Sequence, residues 1–289
     1  MGLIVTILGS GCSWGTPKPG CLCRSCRKAL EEGAPFARKR FGLLIEGNCG
    51  RLLVDAGPDL KQAMLDEGFS PRDVDAVLLT HAHYDHISGL GEFRGYKKRE
   101  PTPVYATKHC LERAFHPTTG GYLCPGFLEP REIRLHEPFQ AAGFSVTAFE
   151  LNHDFPCTGF VIEGEGKRVA VAADTNLPVK HETQEAFKNV DLLVVDSFAG
   201  NWEDVYVMAK SVWGDYDGDS LKENVKKNSD AKRLVHLFFP QAKAWARELN
   251  AKQAVSVHTT HGCPPQDELE ALYGNSRFQV GFDGKKIRL

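Results

Sequence analysis

Four side chains that commonly bind metals lie within six residues of this sequence, directly after an apolar run. The stretch LLTHAHYDHISGL (78–90) contains His81, His83, Asp85 and His86. Three imidazoles and a carboxylate suit borderline cations such as Zn²⁺. His81 and His83 are two residues apart and can share one cation, whereas Asp85 and His86 follow the turn and can face a second. The spacing predicts a site for two metals, which requires further ligands from other parts of the chain.

The elements that position these residues are indicated by short apolar runs, rich in β-branched side chains and bounded by Gly, Asp or Asn. The runs predict strands at 3–8, 42–46, 51–55, 76–80, 144–149, 159–163, 168–174, 191–196 and 253–258. Helices are predicted between some of them, at 58–67, 86–97, 180–188, 240–249 and 265–273. Several strands end in a polar residue, where α/β proteins usually carry their chemistry. These residues are Asp55, His81, Asp174, Asp196 and His258.

The sequence resembles the metallo-β-lactamase superfamily, in which an H-x-H-x-D-H loop is followed by a His, a bridging Asp and a last His on separate strands. The matching positions here are His153, Asp174 and His258. The resemblance implies an α/β fold of the αββα type, a four-layer sandwich. It also implies the metal ligands: His81, His83 and His153 for one metal, Asp85, His86 and His258 for the other, and Asp174 as the bridge.

A second group of metal-binding side chains lies near the N-terminus. The stretch GCLCRSCRK (20–28) contains Cys21, Cys23 and Cys26 in a C-x-C-x-x-C array, which indicates a metal site, a redox device or part of a disulfide framework. A redox pair of Cys23 and Cys26 would leave Cys21 surplus, so a shared Zn²⁺ with one more ligand is favoured. The other cysteines are scattered singly, as is typical of reduced, separately buried thiols. They are Cys12, Cys49, Cys110, Cys124, Cys157 and Cys263.

The array follows a first strand and the turn ILGSGCSWGTPKPG. This arrangement resembles the PhnP branch of the superfamily, phosphodiesterases of phosphoribosyl cyclic phosphate, and more loosely the PqqB proteins. The resemblance implies a structural zinc site at an added N-terminal loop, with His261 as its fourth ligand and Cys263 as the rival. The turn has the spacing G-x-G-x-x-x-G, and a cysteine-rich loop rather than a helix is expected after it. A nucleotide-binding loop is therefore not predicted.

These residues favour a dinuclear metal hydrolase, a phosphodiesterase for a small cyclic or linear phosphodiester, in which a metal-bridging hydroxide attacks phosphorus. The predicted catalytic residues are Asp85, Asp174 and His236. His236 lies 22 residues before His258, where the family has a histidine near the scissile phosphate. It would bind a phosphoryl oxygen or protonate the leaving group, unless it is a structural histidine at a strand end. Two divalent cations, Zn, Mn or Fe, are the expected cofactors beside the structural Zn.

Other functions stay open at this stage. The metal loop alone also fits thioester or C–N hydrolysis, or PqqB-like chemistry. A zinc-stabilised nucleic-acid-binding module belongs to a different class, and it would use the basic residues close to the cysteines. These are Arg24, Arg27, Lys28, Arg38, Lys39 and Arg40. However, 35 Lys and Arg residues stand against 37 Asp and Glu in the whole chain, so there is no basic excess to attract nucleic acid.

The 289 residues, 42% of them hydrophobic, are expected to form one domain (1–289) with an inserted surface segment at about 200–235, near the mouth of the site. No apolar run approaches the roughly 18 residues of a membrane span, and no secretory signal is evident. We therefore expect a cytoplasmic protein that acts on a small molecule without a membrane partner, and a homodimer stays open. Four histidines are expected at the surface without a role: His109, His116, His136 and His181.

Overall fold

The computed structural model describes residues 2–96, 98–116, 126–213, 218–230 and 234–289, and within these ranges the chain forms two seven-stranded sheets. The strands are β1 (Ile4–Gly9), β2 (Gly42–Gly47), β3 (Gly50–Val54), β4 (Ala76–Leu78), β5 (Thr102–Ala106), β6 (Leu128–Glu132), β7 (Pro138–Ala141), β8 (Phe144–Glu150), β9 (Thr158–Gly164), β10 (Lys167–Ala172), β11 (Leu192–Asp196), β12 (Gln253–Val257), β13 (Phe278–Val280) and β14 (Lys286–Arg288). The first sheet has the order β14-β1-β2-β3-β4-β5-β6, and the second has the order β13-β12-β11-β10-β9-β8-β7.

Helices lie between many of these strands. They are α1 (Arg24–Glu32), α2 (Leu60–Glu67), α3 (Tyr84–Ile87), α4 (Lys108–Ala114), α5 (His181–Ala186), α6 (Trp202–Trp213), α7 (Gly218–Asp230), α8 (Phe239–Glu248) and α9 (Gln266–Tyr273), with 3₁₀ turns at Pro71–Asp73 and Ser88–Phe93. Across the described part of the chain, no helix combines the length and apolar character needed to cross a membrane.

The two sheets pack face to face, and helices cover their outer faces. In β2, Leu43 and Ile45 point into a core shared with Phe160 and Ile162 of the second sheet, whereas Leu44 points into the layer of helices that covers the first sheet. Both faces of the central strands are therefore buried, which explains why their sequences are almost continuously apolar. The layers are helix, sheet, sheet and helix, and the expected αββα sandwich is confirmed.

Each sheet is antiparallel on one side and parallel on the other. The pairs β3–β4 and β10–β11 are parallel, and they are joined by crossovers that contain α2 and α5. Parallel neighbours require such crossovers, because a tight hairpin can connect only antiparallel strands. As a result, β4, β8, β10 and β12 all run toward the same end of the sandwich, where the loops after them meet.

The nine predicted strands are all present, with ends that differ by about two residues or less. Five further strands in the described residues were not predicted: β5, β6, β7, β13 and β14. These strands lie at or near sheet edges, are short, or contain proline, so they lack the apolar pattern of the central strands. β6, for example, has the sequence LEPRE and buries only its first residue.

Two helix predictions need correction. The segment 86–97 is not one helix, because α3 ends at Ile87 and a 3₁₀ turn follows it through Phe93. In the segment 200–235, the structure describes two helices that pack together, α6 and α7, called the helix pair below. The pair is not only a surface segment, since Val205 of α6 is buried in the core beneath the second sheet.

A large buried ring should carry much of the stability of the sheet interface. Phe160 is 0% exposed and lies in the core between the sheets. Phe160→Ala should lower the free energy of unfolding by about 3–5 kcal/mol, because buried area is lost and a cavity remains. Leu65→Ala, at a site that is 66% exposed, should change it by about 0.5 kcal/mol or less. Equal effects in urea denaturation would contradict this assignment of the core.

Candidate metal centre

Seven side chains that the sequence nominates as metal ligands meet at the common end of the two sheets. They are His81 and His83 after β4, Asp85 and His86 in α3, His153 after β8, Asp174 after β10 and His258 after β12. Each belongs to a group whose ligand atoms lie within 4.8 Å of one another. One group joins the first two histidines to His153 and Asp174, and another joins Asp85, His86 and His258. The structure thus assembles the two predicted ligand sets.

Asp174 lies between the two ligand sets. Its Oδ2 atom is 3.8 Å from Nε2 of His81 and 3.9 Å from Nε2 of His153. The same oxygen is 3.5 Å from Nε2 of His86 and 3.3 Å from Nε2 of His258. A single carboxylate oxygen therefore faces imidazoles of both sets, which is the position that a bridging ligand requires.

Close approach of two backbone segments places α3 against the end of β3. The N–H group of Ala56 donates to His86 O, and the N–H group of Gly89 donates to Ala56 O, each at 2.7 Å. A Cβ atom on Gly89 would lie 2.0 Å from Gly57 O, and one on Gly57 would lie 2.1 Å from Asp85 O. Only glycine fits at these two positions, so the glycines allow the metal-binding loop to dock.

The donor set fits divalent cations. Among the described residues, buried polar atoms without a hydrogen-bond partner include Nε2 of His86 and His153, both ring nitrogens of His258, and Oδ1 of Asp174. Each such atom costs roughly 1–3 kcal/mol when it is buried and unpaired. Their concentration at one point is explained by cations, which imidazole nitrogens and carboxylate oxygens bind well.

The charges of the cluster lead to the same conclusion. Burial disfavours the charged form of His86, but Asp174, Asp85 and Asp55 outweigh burial and raise the pKa of His86 well above its usual value. Burial also disfavours the Asp174 carboxylate, yet His258 and His86 outweigh it and hold the pKa of Asp174 well below its usual range. The buried carboxylates thus stabilise positive charge here, and a metal cation competes with the proton for that place.

Asp55, at the end of β3, supports ligands of both sets. Its carboxylate accepts hydrogen bonds from Thr80 N and Thr80 Oγ1, each at 2.8 Å, and from Nδ1 of His86 at 2.7 Å. Thr80 Oγ1 is in turn 2.9 Å from Nδ1 of His81, which can donate to it. Partners of this kind fix the ring orientation of a histidine ligand and leave the other ring nitrogen free to bind metal. The sequence marked Asp55 only as a polar residue at a strand end, and its partners could not be read from it.

His236, a predicted catalytic residue, is held beside the cluster by a second strand-end carboxylate. Nδ1 of His236 lies 2.7 Å from Oδ2 of Asp196, at the end of β11. Phe198 stacks on the other side, with ring centroids 4.8 Å apart. His236 also groups with Asp174 and His258 within 4.8 Å. The surroundings are those of an active-site residue, and the sequence had not linked Asp196 to His236.

The three cysteines of the N-terminal array meet His261 across about 240 residues of sequence. Sγ of Cys21 and Sγ of Cys23 each lie 3.7 Å from Nδ1 of His261, and Cys26 completes the group within 4.8 Å. The hydrogen bond with Cys26 lowers the pKa of Cys23 to about 3, so one thiolate forms readily. The four side chains below are called the cysteine cluster. They have the composition of a closed structural zinc site.

Several expectations about cysteines are settled by their surroundings. Cys263 is not in the cluster, since its Sγ lies 3.5 Å from Phe198 O, and His261 takes the fourth position. The segment after the glycine-rich turn was wrongly expected to be loop only, because α1 begins at Arg24 and includes Cys26. Cys49 is exposed rather than buried, and Cys124 lies outside the described residues.

Of the four histidines assigned to the surface, three are exposed and one is not. His116, His136 and His181 are exposed. His109 is half-buried, and its ring lies 5.1 Å from that of Phe155. Phe155 in turn lies 4.9 Å from the ring of His83, so His109 stands behind the wall of the metal centre.

A four-layer sandwich with such a cluster at its strand ends defines a metallo-β-lactamase fold. Residues 50–259 match the model of the beta-lactamase superfamily domain, and the chain belongs to that superfamily. Its members are typically metal-dependent hydrolases that bind divalent metals.

Three curated relatives have different names. The chain is 36% identical over 163 residues to an octanoyltransferase of Porphyromonas gingivalis, which covers 54% of this chain and 32% of that protein. It therefore spans about a third of that relative. It is 27% identical over 216 residues to coenzyme PQQ synthesis protein B of Methylobacterium nodulans, covering 66% and 71% of the two chains. A ribonuclease Z of Bradyrhizobium diazoefficiens is 25% identical over 283 residues, covering 85% and 93%.

Two solved structures share the fold over nearly the whole chain. A diphosphatase of the PhnP family has a TM-score of 0.77 and 22% identity, with 100% of this chain and 98% of the other covered. Zinc-bound PqqB from Methylobacterium extorquens also has a TM-score of 0.77 and 22% identity, with 99% and 100% covered. At this identity the likeness establishes the fold and leaves the substrate open.

Asp55 should influence metal binding without being a ligand. Asp55→Asn places an amide where two donors now meet a carboxylate, so His81 and His86 lose their orientation. We expect metal affinity at the centre to fall about 10–100-fold, measured by competition with a chromophoric chelator. The exposed Glu182→Gln is the matched control and should bind metal like the wild type. Unchanged affinity in a folded Asp55→Asn protein would contradict the supporting role.

The cysteine cluster should hold a metal of its own. Cys23→Ser should reduce the metal content from about three per chain to about two, because the centre around Asp174 keeps its ligands. With zinc at about 1,000 times its Kd, the loss should lower the free energy of unfolding by about 4 kcal/mol. Metal analysis and thermal denaturation measure both effects, with the exposed Cys49→Ser as control. Two metals in both the wild type and Cys23→Ser would show that this prediction is wrong.

Proposed function

We propose that this protein is a metal-dependent phosphodiesterase that acts on a small cyclic or linear phosphodiester. The observation that carries the proposal is the juxtaposition of two ligand sets around Asp174 with a further imidazole, His236, held by Asp196. A hydrolase that cleaves a P–O bond needs positive charge for the phosphoryl oxygens and a proton for the leaving alkoxide. The ligand sets are suited to provide the first and His236 the second.

Two divalent cations, Zn²⁺ or Mn²⁺, would be held by the seven ligands around Asp174 and would supply an activated water and charge neutralisation when bound. Asp174 and Asp85 keep the centre anionic, and Asp174 is placed to orient the attacking water between the two sets. Phe155 beside His83 and Phe198 beside His236 present apolar rings on two sides of the cluster. Such walls exclude bulk water and strengthen the electrostatic interactions inside.

His236 is suited to hydrogen-bond a phosphoryl oxygen or to pass a proton to the leaving group. Burial lowers the pKa of His236, against an opposing effect of Asp174, so the ring is neutral at neutral pH. Its Nδ1 faces Asp196, which leaves Nε2 for the substrate side. When the ring takes up a proton, the Asp196 carboxylate stabilises the imidazolium that forms. We propose this proton-carrying role in place of a purely structural one.

The relatives support phosphate chemistry without fixing the substrate. A diphosphatase and a ribonuclease are among the proteins that resemble this chain, and both names refer to hydrolysis of phosphate linkages. The basic residues near the cysteines give no support for nucleic acid, since most are paired with acidic side chains. The pairs are Arg24 with Glu268, Lys28 with Asp267, Lys39 with Asp66 and Arg40 with Asp59. We therefore propose a small-molecule substrate.

Turnover of bis-p-nitrophenyl phosphate by Zn²⁺- or Mn²⁺-loaded protein tests the reaction class. Cyclic and linear nucleotide phosphodiesters, together with an RNA oligonucleotide, then test substrate size. Preference for the small substrates supports the proposal, and preference for the RNA would favour a ribonuclease. A PqqB-like function, suggested by 27% identity to that protein, predicts no turnover of any phosphodiester at a full metal complement. That result would overturn the proposal.

The role of His236 has its own test. His236→Gln keeps an N–H donor for Asp196 but cannot carry a proton, so kcat should fall about 10²–10⁴-fold while the metal content is unchanged. The matched control is His181→Gln, since His181 is exposed and outside the cluster. Equal kcat values for the two variants would contradict the role assigned to His236.

A further inference from the structure

The cysteine cluster contacts the helix pair through His261. While Nδ1 of His261 faces Cys21 and Cys23, its Nε2 lies 3.2 Å from Oγ of Ser211 in the last turn of α6. Ser211 Oγ donates its only proton to Met208 O at 2.7 Å, so toward His261 it acts as an acceptor. The hydrogen bond therefore places the imidazole proton on Nε2. It leaves Nδ1 bare, in the form that binds a metal.

Lys18 makes a second connection between the same two parts. Its backbone N–H donates to Sγ of Cys26 at 3.3 Å. Its Nζ donates to Ser211 O at 2.5 Å and approaches Ser211 Oγ at 3.3 Å. Carbonyl groups in the last turn of a helix have no partner within the helix, and a cation there is favourable. Lys18 thus caps α6 while its backbone contacts a cysteine of the cluster.

The body of α6 lies directly on the chain that follows His261. A Cβ atom on Gly262 would lie 2.0 Å from Asp204 O and 3.0 Å from Met208 N, so glycine is needed for this approach. The segments at either end of the helix pair are also joined. Phe198 N donates to Leu237 O at 2.9 Å, next to His236. The position of α6 is therefore coupled to the cysteine cluster at its last turn and to the neighbourhood of His236 at its first.

We propose that Ser211 and Lys18 are positioning residues that couple a zinc ion in the cysteine cluster to the helix pair, so that zinc orders α6 and α7. The cluster is then more than a clamp for the N-terminal segment. It sets how firmly the helices beside His236 are held. The ordering by zinc stands on the contacts above, and only its consequence for catalysis rests on the proposed function.

Zinc affinity of the cluster is measured by Co²⁺ substitution, because thiolate ligands give Co²⁺ a charge-transfer absorption that a site of His and Asp lacks. Ser211→Ala should weaken binding at the cluster about 10–100-fold, since the histidine loses the partner that fixes its tautomer. Ser211→Thr keeps the hydroxyl and should restore most of the affinity. The control is Ser276→Ala, at an exposed position.

Hydrogen exchange followed by mass spectrometry measures the order of the helix pair. In the zinc-loaded protein, amides of 202–213 and 218–230 should exchange about tenfold more slowly than in Cys23→Ser, Ser211→Ala or Lys18→Met. Lys226→Met, on the exposed side of α7, should match the wild type. If Ser211→Ala or Lys18→Met does not fold, the comparison of wild type with Cys23→Ser still decides. Equal exchange in those two proteins, or unchanged Co²⁺ affinity in Ser211→Ala, would overturn the coupling. Neither readout depends on phosphodiesterase activity.

Discussion

The buried carboxylate of Asp174 is the feature on which the rest of the site depends. It is 2% exposed and stands within 4 Å of four imidazoles from different loops. A buried charge is tolerated only when it is paired and hydrogen-bonded, so the fold must bring positive or polar groups to it from every side. The strands of both sheets end at this point for that reason, and the same concentration of donors is what makes the centre suited to cations.

The same arrangement occurs twice around this centre. Asp55 ends β3 and holds Nδ1 of His86, while Asp196 ends β11 and holds Nδ1 of His236. In both cases a buried strand end supplies a carboxylate, which fixes an imidazole whose other nitrogen faces the centre. Because the strands are rigid, the rings are oriented before any ligand arrives, and preorganisation of this kind is the main contribution that a protein makes to a metal site.

The cysteine cluster extends this order to the periphery. His261 lies three residues after His258, so the cluster and the centre share one short segment of chain. Ser211 and Lys18 continue the connection from the cluster to α6, whose start lies next to the residues that flank His236. Three parts of the sequence, near residues 20, 210 and 260, are thus held together by polar contacts rather than by the hydrophobic core.

The sequence by itself determined the central strands and the identity of the ligands. Continuous apolar runs reveal strands buried on both faces, and the H-x-H-x-D-H spacing reveals a metal loop, because both signals are local. The edge strands, the half-buried position of His109 and the helix that includes Cys26 carry no such signal. Only the tertiary structure decided that Asp55 serves His86, that Asp196 serves His236 and that His261 rather than Cys263 meets the cysteines. Those pairings join residues from 31 to 240 positions apart, and distance along the chain leaves no pattern in the sequence that could specify them.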